Sequence, residues 1–234
     1  MNAKNLGSCV KAIKDTLPPT VLLVAAAKTR DPSEVQAVVE AGITAIGYNY
    51  IQEAQAKREQ LREWEATAAP HPVQWHLIGH LQRNKAKKAV ELFDMIETID
   101  SLPLAEAVNR HCVAADKIMP VLIEINSGRE SNKTGVPPDQ VPTLVREVAA
   151  LSHLKVLGLM TMGPRFGEPE NARPYFRLTK KLFDKLAVES IAGVEMKYLS
   201  MGMSNSYRQA IEEGANIIRI GTKLFGDRAD KCTC

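Results

Sequence analysis

Short apolar runs typical of buried β-strands alternate with longer amphipathic helical patterns along the whole chain. About eight such alternations fill the 234 residues, and several runs are almost entirely apolar, as in parallel strands covered on both faces. The strands are predicted at residues 21–27, 45–48, 75–78, 95–98, 121–124, 156–161, 198–200 and 217–220. This pattern predicts a single-domain α/β fold over residues 1–234, a (β/α)8 TIM barrel. An open doubly wound sheet is the alternative, because the pattern alone does not show closure.

The helical segments carry boundary signals. Asp31-Pro32 opens one helix, and Gly42 and Gly214 follow predicted helix ends, where a left-handed residue is favoured. An extra N-terminal helix is predicted from apolar residues at helical spacing: Leu6, Val10, Ile13 and Leu17. Further helices are predicted within residues 51–64, 84–92, 101–113, 138–151, 172–190 and 204–213.

Composition excludes several classes of protein. The net charge is only +3 and 45% of residues are hydrophobic, which is typical of a globular protein and not of a dedicated nucleic-acid binder. No apolar run approaches the ~20 residues that span a bilayer, and the N-terminus lacks the apolar stretch of a signal peptide. Scattered cysteines without metal-ligand spacing favour reduced thiols: Cys9, Cys112, Cys232 and Cys234. We therefore expect a cytoplasmic monomer without a metal, membrane or nucleic-acid partner.

The first strand leads into a lysine. In barrels of this kind the functional groups lie at the carboxyl ends of the strands. Lys28 closes an apolar run, and partial desolvation lowers a lysine pKa and supplies the neutral amine that a Schiff base requires. The alternative is a lysine that extends to solvent from the strand end.

The last two strands carry candidate anion-binding groups. Arg219 lies between isoleucines and needs an acceptor, while Gly221 and Thr222 offer main-chain N–H donors and a hydroxyl. Ser204 follows the seventh strand, and phosphate sites in these barrels often use the loops after strands seven and eight. The alternatives are a structural ion pair for the arginine and simple helix capping for the serine.

Two loop residues after the second and third strands are further candidates. Asn49 either hydrogen-bonds a ligand or caps the following helix, and His80 either packs over a planar ring or is a polar surface group. The basic run at residues 83–88 is typical of a solvated helix face, with a phosphate-attracting patch as the alternative.

Six segments together resemble the pyridoxal phosphate homeostasis proteins, small barrels that bind pyridoxal 5'-phosphate (PLP) and are related to the barrel domain of alanine racemases. The segments occur in the family's order and cover nearly the whole chain. They are AAKT (26–29), GYNYIQE (47–53), WHLIGHLQRNK (75–85), LGLMTM (157–162), LSMGMS (199–204) and RIGTKLFG (219–226).

The resemblance implies a PLP site with assigned roles. Lys28 would form the internal aldimine, and Arg219 would face the pyridine nitrogen. The remaining roles are phosphate binding by Ser204, Gly221 and Thr222, and lining of the ring by Asn49, His80 and Met201. The chain departs from the family's usual acidic residues at Tyr48, Asn205 and Ser206, which concerns the polarity of the rim and partner recognition.

The remaining question is whether such a protein carries PLP or uses it in catalysis. An arginine only donates hydrogen bonds, so an unprotonated pyridine nitrogen facing Arg219 is a poorer electron sink, although alanine racemases also place an arginine there. Their second acid/base comes from a separate β-domain, and we expect none here because only eight residues follow Gly226. The favoured hypothesis is a non-catalytic PLP carrier that buffers the cofactor or delivers it to apo PLP-dependent enzymes. A weak amino-acid racemase and a Schiff-base aldolase without PLP are the alternatives.

Overall fold

Eight parallel strands close into a barrel in the computed structural model, which describes residues 3–130, 133–163 and 167–226. Each strand pairs with the next in sequence, and β8 closes the ring by pairing with β1. The strands are β1 (Leu22–Ala26), β2 (Ala45–Tyr48), β3 (Gln74–Leu77), β4 (Met95–Ile99), β5 (Met119–Ile125), β6 (Leu154–Thr161), β7 (Val194–Ser200) and β8 (Ile217–Ile220). The barrel prediction is confirmed, and the alternative of an open sheet is wrong.

Helices connect the strands and surround the barrel. They are α1 (Ala3–Lys14), α2 (Pro32–Glu40), α3 (Ile51–Thr67), α4 (Ala86–Leu92), α5 (Leu102–Ala114), α6 (Val141–Ala149), α7 (Arg173–Ala187), α8 (Tyr207–Glu212) and α9 (Thr222–Phe225). At the start of α2 the Glu34 side chain accepts the Asp31 N–H at 2.8 Å. Gly42 and Gly214 follow helix ends at φ of 95° and 96°, which confirms their predicted left-handed conformation.

The N-terminal helix packs against α2 and α9. Leu6, Val10 and Ile13 are buried, as their helical spacing predicts, whereas Leu17 lies beyond the end of α1. Among the residues described, no helix combines the length and apolarity needed to cross a membrane. Cys9 and Cys112 are free thiols, and Cys232 and Cys234 lie outside the described residues.

Most predicted elements have slightly different bounds in the structure, and two of these differences are informative. Strand β7 begins at Val194, four residues before the predicted start, because its first half alternates apolar and charged side chains instead of forming an apolar run. Helix α8 begins at Tyr207, so Ser204 lies in the preceding loop and Ser206 occupies the N-cap position. Ser204, for which helix capping was the alternative role, is therefore available for another contact.

The strands have two buried faces with different contents. Side chains such as Leu23, Ala25 and Ile218 point outward and pack with the helices. The inward-facing side chains form apolar layers from residues including Val24 and Ile217. Toward the carboxyl ends of the strands this interior becomes polar, with buried side chains from five strands: His76, Glu97, Glu124, Ser200 and Arg219. This polar layer is where the strand alternation directs the functional candidates.

Gly158 gives a direct test of the barrel packing between β6 and β7. It has φ of 145°, and a Cβ atom there would lie 1.8 Å from the Tyr198 carbonyl oxygen. We expect Gly158→Ala to lower the free energy of unfolding by about 3 kcal/mol, because it combines backbone strain with overpacking. Chemical denaturation measures the change.

A matched glycine serves as the control. Gly7 lies within α1, and a Cβ atom there meets nothing within 4 Å. Gly7→Ala is expected to stabilise the protein by about 0.5–1 kcal/mol, because alanine has the higher helix propensity. Equal effects of the two substitutions would contradict the packing described.

Candidate functional site

A buried arginine lies inside the carboxyl end of the barrel. Arg219 alternates with Ile218 and Ile220, which face the helices, and its side chain is only 4% exposed. Nη2 donates to the Thr161 carbonyl at 2.9 Å and Nη1 donates to Ser200 Oγ at 2.5 Å. Within the described part of the chain the Nε–H donates no hydrogen bond. The guanidinium is therefore held by two strands and retains a free donor.

A fully buried carboxylate lies beneath this arginine. Glu97 accepts from His76 Nδ1 at 2.8 Å and from Ser200 Oγ at 2.6 Å, and its Oε2 is 3.8 Å from Arg219 Nη1. Burial alone would raise the pKa of Glu97, but the hydrogen bonds and charges of His76, Arg219 and Ser200 hold it below its usual range. Glu97 is thus the counter-ion of the buried arginine.

A second buried acid has only one of its oxygens paired. Glu124 Oε1 accepts from Thr134 Oγ1 at 2.7 Å, and Oε2 has no hydrogen-bond partner among the described residues. Burial raises the pKa of Glu124, and the Thr134 hydrogen bond offsets only part of this effect. The pKa values of the two acids of the polar layer are therefore shifted in opposite directions, which favours the ionised form of Glu97 and the neutral form of Glu124. No group of three or more metal-ligating side chains is found in the described ranges.

The turn after β1 places Lys28 at the barrel mouth. Lys28 is half-buried, and the turn is closed by the Arg30 N–H, which donates to the Ala27 carbonyl at 3.1 Å. Thr29 has φ of 66°, and its N–H donates to the Glu53 carboxylate. The lysine therefore stands on a turn that is tied to the neighbouring helix α3.

Main-chain N–H groups converge on one serine hydroxyl beside β1. Ser204 Oγ accepts from the N–H of Gly221 and from that of Lys223, each at 3.3 Å. A Cβ atom on Gly221 would lie 3.4 Å from the Ala26 carbonyl, so this loop adjoins the end of β1. Thr222 lies between the two N–H donors with an exposed side chain. Long, convergent N–H contacts of this kind are the geometry in which anion oxygens bind.

Arg30 joins the lysine turn to this loop. Its guanidinium donates to the Phe225 carbonyl at 3.2 Å and to the Gly226 carbonyl at 2.6 Å. It also lies over the Phe225 ring, 5.2 Å from the centroid. The segments that carry Lys28 and Thr222 are consequently fixed relative to each other.

Asn49 and His80 lie on the next section of the rim. Asn49 is half-buried and packs directly on Gly79, where a Cβ atom would lie 2.4 Å from the Asn49 carbonyl oxygen. His80 is 48% exposed, with Nδ1 3.7 Å from Asp100 Oδ2. Both line a cavity of about 330 Å³ that also includes Lys85. The structure thus brings these two candidates together at the mouth.

Met201 is placed differently from the other candidates. Its side chain is fully buried and belongs to the core between strands and helices, not to the barrel mouth. Its predicted contact with the ring stays a prediction.

The three departures from the family pattern lie at different depths. Tyr48 is fully buried in the outer layer, stacked on Trp75 with ring centroids 5.2 Å apart, so it does not contribute to the rim. Ser206 is also buried, and its Oγ accepts the Met203 N–H at 3.4 Å. Only Asn205 is exposed. The expected effect on rim polarity therefore reduces to Asn205.

The groups that hold Arg219 were not predicted from the sequence. A signal for one of them was present, because Glu97 interrupts an apolar strand, as Arg219 does, and Glu124 interrupts another strand in the same way. A lone charge in a buried strand predicts a partner of opposite charge in the same interior. Pairing these strands across the barrel needed the closed topology.

Comparisons with known proteins fit this geometry. The family model described as the alanine racemase N-terminal domain matches residues 2–229. This chain belongs to that family. Within the family it is similar to proteins named pyridoxal phosphate homeostasis protein. The one from Aquifex aeolicus is 39% identical over 206 residues, covering 88% of this chain and 86% of the relative. The one from Synechocystis is 37% identical over 213 residues, covering 91% and 94%.

Solved structures of the family agree in fold. PipY of Synechococcus elongatus, in a structure with PLP bound, has a TM-score of 0.84 at 29% identity and covers 94% of this chain and 100% of its own. The alanine racemase of Clostridium difficile has a TM-score of 0.76 at 18% identity over 96% of this chain and 57% of the racemase. The second likeness shows the fold alone.

The raised pKa of Glu124 generates a pH-dependent prediction. An acid whose folded pKa lies above its unfolded value stabilises the fold below the unfolded pKa, and this contribution is lost as the pH rises through the folded pKa. Glu124→Gln removes the ionisation, so its free energy of unfolding relative to that of the wild type should increase as the pH rises through the folded pKa of Glu124. Urea denaturation from pH 4 to pH 8 measures the difference, and a difference that is constant with pH would contradict the assignment.

Proposed function

We propose that this chain binds PLP at the carboxyl end of the barrel and takes part in PLP homeostasis as a carrier. The observation that supports it most strongly is the meeting of three groups at one end of β1 and β8. These are the Lys28 amine, the Arg219 guanidinium and the N–H groups around Ser204. The names of the relatives and the PLP bound to PipY support the same cofactor. The residues 1–234 would form one PLP-binding domain.

The donor set fits the phosphate group of PLP. The N–H groups of Gly221 and Lys223 reach only a neutral hydroxyl oxygen at 3.3 Å in the protein itself. A phosphate oxygen offers them a stronger, charge-assisted hydrogen bond, and the Ser204 and Thr222 hydroxyls can donate to the same group. A phosphate would therefore be held between the loops after β7 and β8.

The arginine fits the pyridine nitrogen. With both Nη atoms engaged by Thr161 and Ser200, the Nε–H remains as a donor for a ring acceptor. Because arginine keeps its proton, Arg219 can donate to the nitrogen but not protonate it. The ring then remains a weak electron sink, which favours storage of the cofactor over carbanion chemistry.

Lys28 supplies the covalent attachment. The Lys28 amine would be the group that condenses with the aldehyde of bound PLP, forming a Schiff base and releasing one water. Lys28 is half-buried at the mouth, so water or another amine can reach the C=N bond and regenerate the lysine. Asn49 and His80 would contact the ring edge at the same opening. The cytoplasmic, monomeric state remains a prediction.

Replacing the lysine tests the attachment. We expect Lys28→Ala to abolish the Schiff-base absorbance of PLP-loaded protein while preserving the thermal unfolding temperature, because it removes a half-buried turn side chain and no core volume. Borohydride reduction followed by peptide mass mapping should place the pyridoxyl group of the wild type on Lys28.

Two lysines near the site serve as controls. Lys85 lines the rim cavity and Lys223 lies next to Thr222. Lys85→Ala and Lys223→Ala are each expected to retain the absorbance. A pyridoxyl group on either lysine in the wild type would overturn the assignment.

The phosphate contacts should control release. Loss of one charge-assisted hydrogen bond costs about 1.5–3 kcal/mol, or roughly ten- to a hundredfold in dissociation. We therefore expect Thr222→Ala to speed PLP transfer to an apo PLP-dependent enzyme about tenfold or more, without creating amino-acid turnover. Recovery of the acceptor's activity over time measures the transfer.

A hydroxyl at the opposite end of the barrel is the matched control. Thr20 is exposed just before β1, and Thr20→Ala should leave the transfer rate unchanged. Single enantiomers of alanine are tested in parallel. Rapid racemisation by the wild type, with no activation of the acceptor, would favour a PLP-dependent racemase over a carrier, and absence of any PLP absorbance would favour an aldolase-type Schiff-base barrel.

A further inference from the structure

The buried pair of Glu97 and His76 has no part in the contacts proposed for PLP. Both side chains are at most 1% exposed, and they lie on β4 and β3, on the far side of the interior from the phosphate loops. Burying a carboxylate costs several kcal/mol unless it is paired and hydrogen-bonded. The buried carboxylate of Glu97 is therefore expected to have a role other than direct contact with PLP.

Both hydrogen bonds of Glu97 are donated to its carboxylate by neighbouring side chains. A carboxylate only accepts, so the His76 Nδ1–H and the Ser200 Oγ–H both donate to it, at 2.8 Å and 2.6 Å. The Ser200 hydroxyl has one proton, which is committed to Glu97, so its lone pairs are left for the Arg219 Nη1–H. Glu97 thereby fixes the rotamer of Ser200, and Ser200 fixes the guanidinium.

The second nitrogen of the guanidinium is fixed independently. Nη2 donates to the Thr161 carbonyl at the end of β6. The guanidinium is planar and rigid, so fixing its two Nη atoms on β6 and β7 also fixes its plane. The Nε–H bond therefore points in a single direction. Loss of the Ser200 contact would allow the plane to rotate about the Thr161 bond.

We propose that Glu97 is a positioning residue that acts through Ser200 to aim Arg219 at the ring nitrogen of the bound cofactor. The inference rests on the proposed function, since it concerns the same site. His76 holds Glu97 through a hydrogen bond, and the negative charge of Glu97 balances the positive charge of the Arg219 guanidinium. A merely structural role would affect stability and leave the cofactor's properties unchanged.

The charge of Glu97 also acts on the bound cofactor. The ionisable groups facing this network are His76 on β3, Glu124 on β5 and Arg219 on β8. Removing the Glu97 charge leaves the arginine less compensated, which disfavours protonation of the nearby cofactor. The pH midpoint of the bound cofactor's absorbance should then fall.

Three variants test the proposal. Glu97→Gln keeps the shape and removes the charge, and Ser200→Ala removes the link to Arg219. Glu65→Gln is the matched control, because Glu65 accepts the Trp75 Nε1–H at 2.8 Å in the outer layer, away from the barrel interior. For each variant, the thermal unfolding temperature, the PLP dissociation constant and the pH midpoint of the PLP absorbance are measured.

The expected results separate positioning from stability. Glu97→Gln and Ser200→Ala should each weaken PLP binding about tenfold, and Glu97→Gln should lower the midpoint, whereas Glu65→Gln should change the unfolding temperature alone. If Glu97→Gln does not fold, wild-type affinity in Ser200→Ala overturns the proposal. Glu97→Gln with wild-type affinity and midpoint also overturns it.

PLP binding by the wild-type protein separates a failure of the role of Glu97 from a failure of the proposed function. Wild-type protein that shows no PLP absorbance would contradict the proposed function itself. Wild-type protein that binds PLP, beside a folded Glu97→Gln variant that behaves identically, would contradict only the role of Glu97.

Discussion

The site depends on a positive charge held inside the barrel. Arg219 is almost fully buried, which is unfavourable for a charged group unless it is paired and hydrogen-bonded. Glu97, Ser200 and the Thr161 carbonyl meet this requirement from three different strands. The arginine is therefore rigid before any ligand arrives, and a rigid donor loses little entropy when it binds.

Closure of the barrel turns distant segments into one site. Because β8 pairs with β1, the turn that carries Lys28 lies beside the loop that carries Gly221, although the two are almost the whole chain apart. Arg30 adds a second link by binding the carbonyls that end α9. The proposed attachment point at Lys28 and the proposed phosphate-binding loop are thus fixed relative to each other, and Lys28 itself is half-buried. That combination suits a protein that must both hold its ligand and release it.

Much of this was predictable from the sequence, for identifiable reasons. Apolar runs such as the one before Lys28 indicate buried parallel strands, and their repetition indicates a barrel. The alternation of the last strand indicated that Arg219 lies on the face opposite to Ile218 and Ile220. The counter-ion was not predictable, because Glu97 belongs to β4, which meets β8 only across the closed interior, whereas Ser200 lies on the adjacent strand β7. The packing of Met201 was not predictable either, because a motif match does not show which layer of the fold a side chain joins.

A crystal structure of the protein with PLP tests the central claim most directly. The account predicts a phosphate on the N–H groups of Gly221 and Lys223, a ring nitrogen within hydrogen-bond distance of the Arg219 guanidinium, and continuous density from the cofactor to Lys28 Nζ. A phosphate bound to Arg219, or a covalent link to a different lysine, would contradict it.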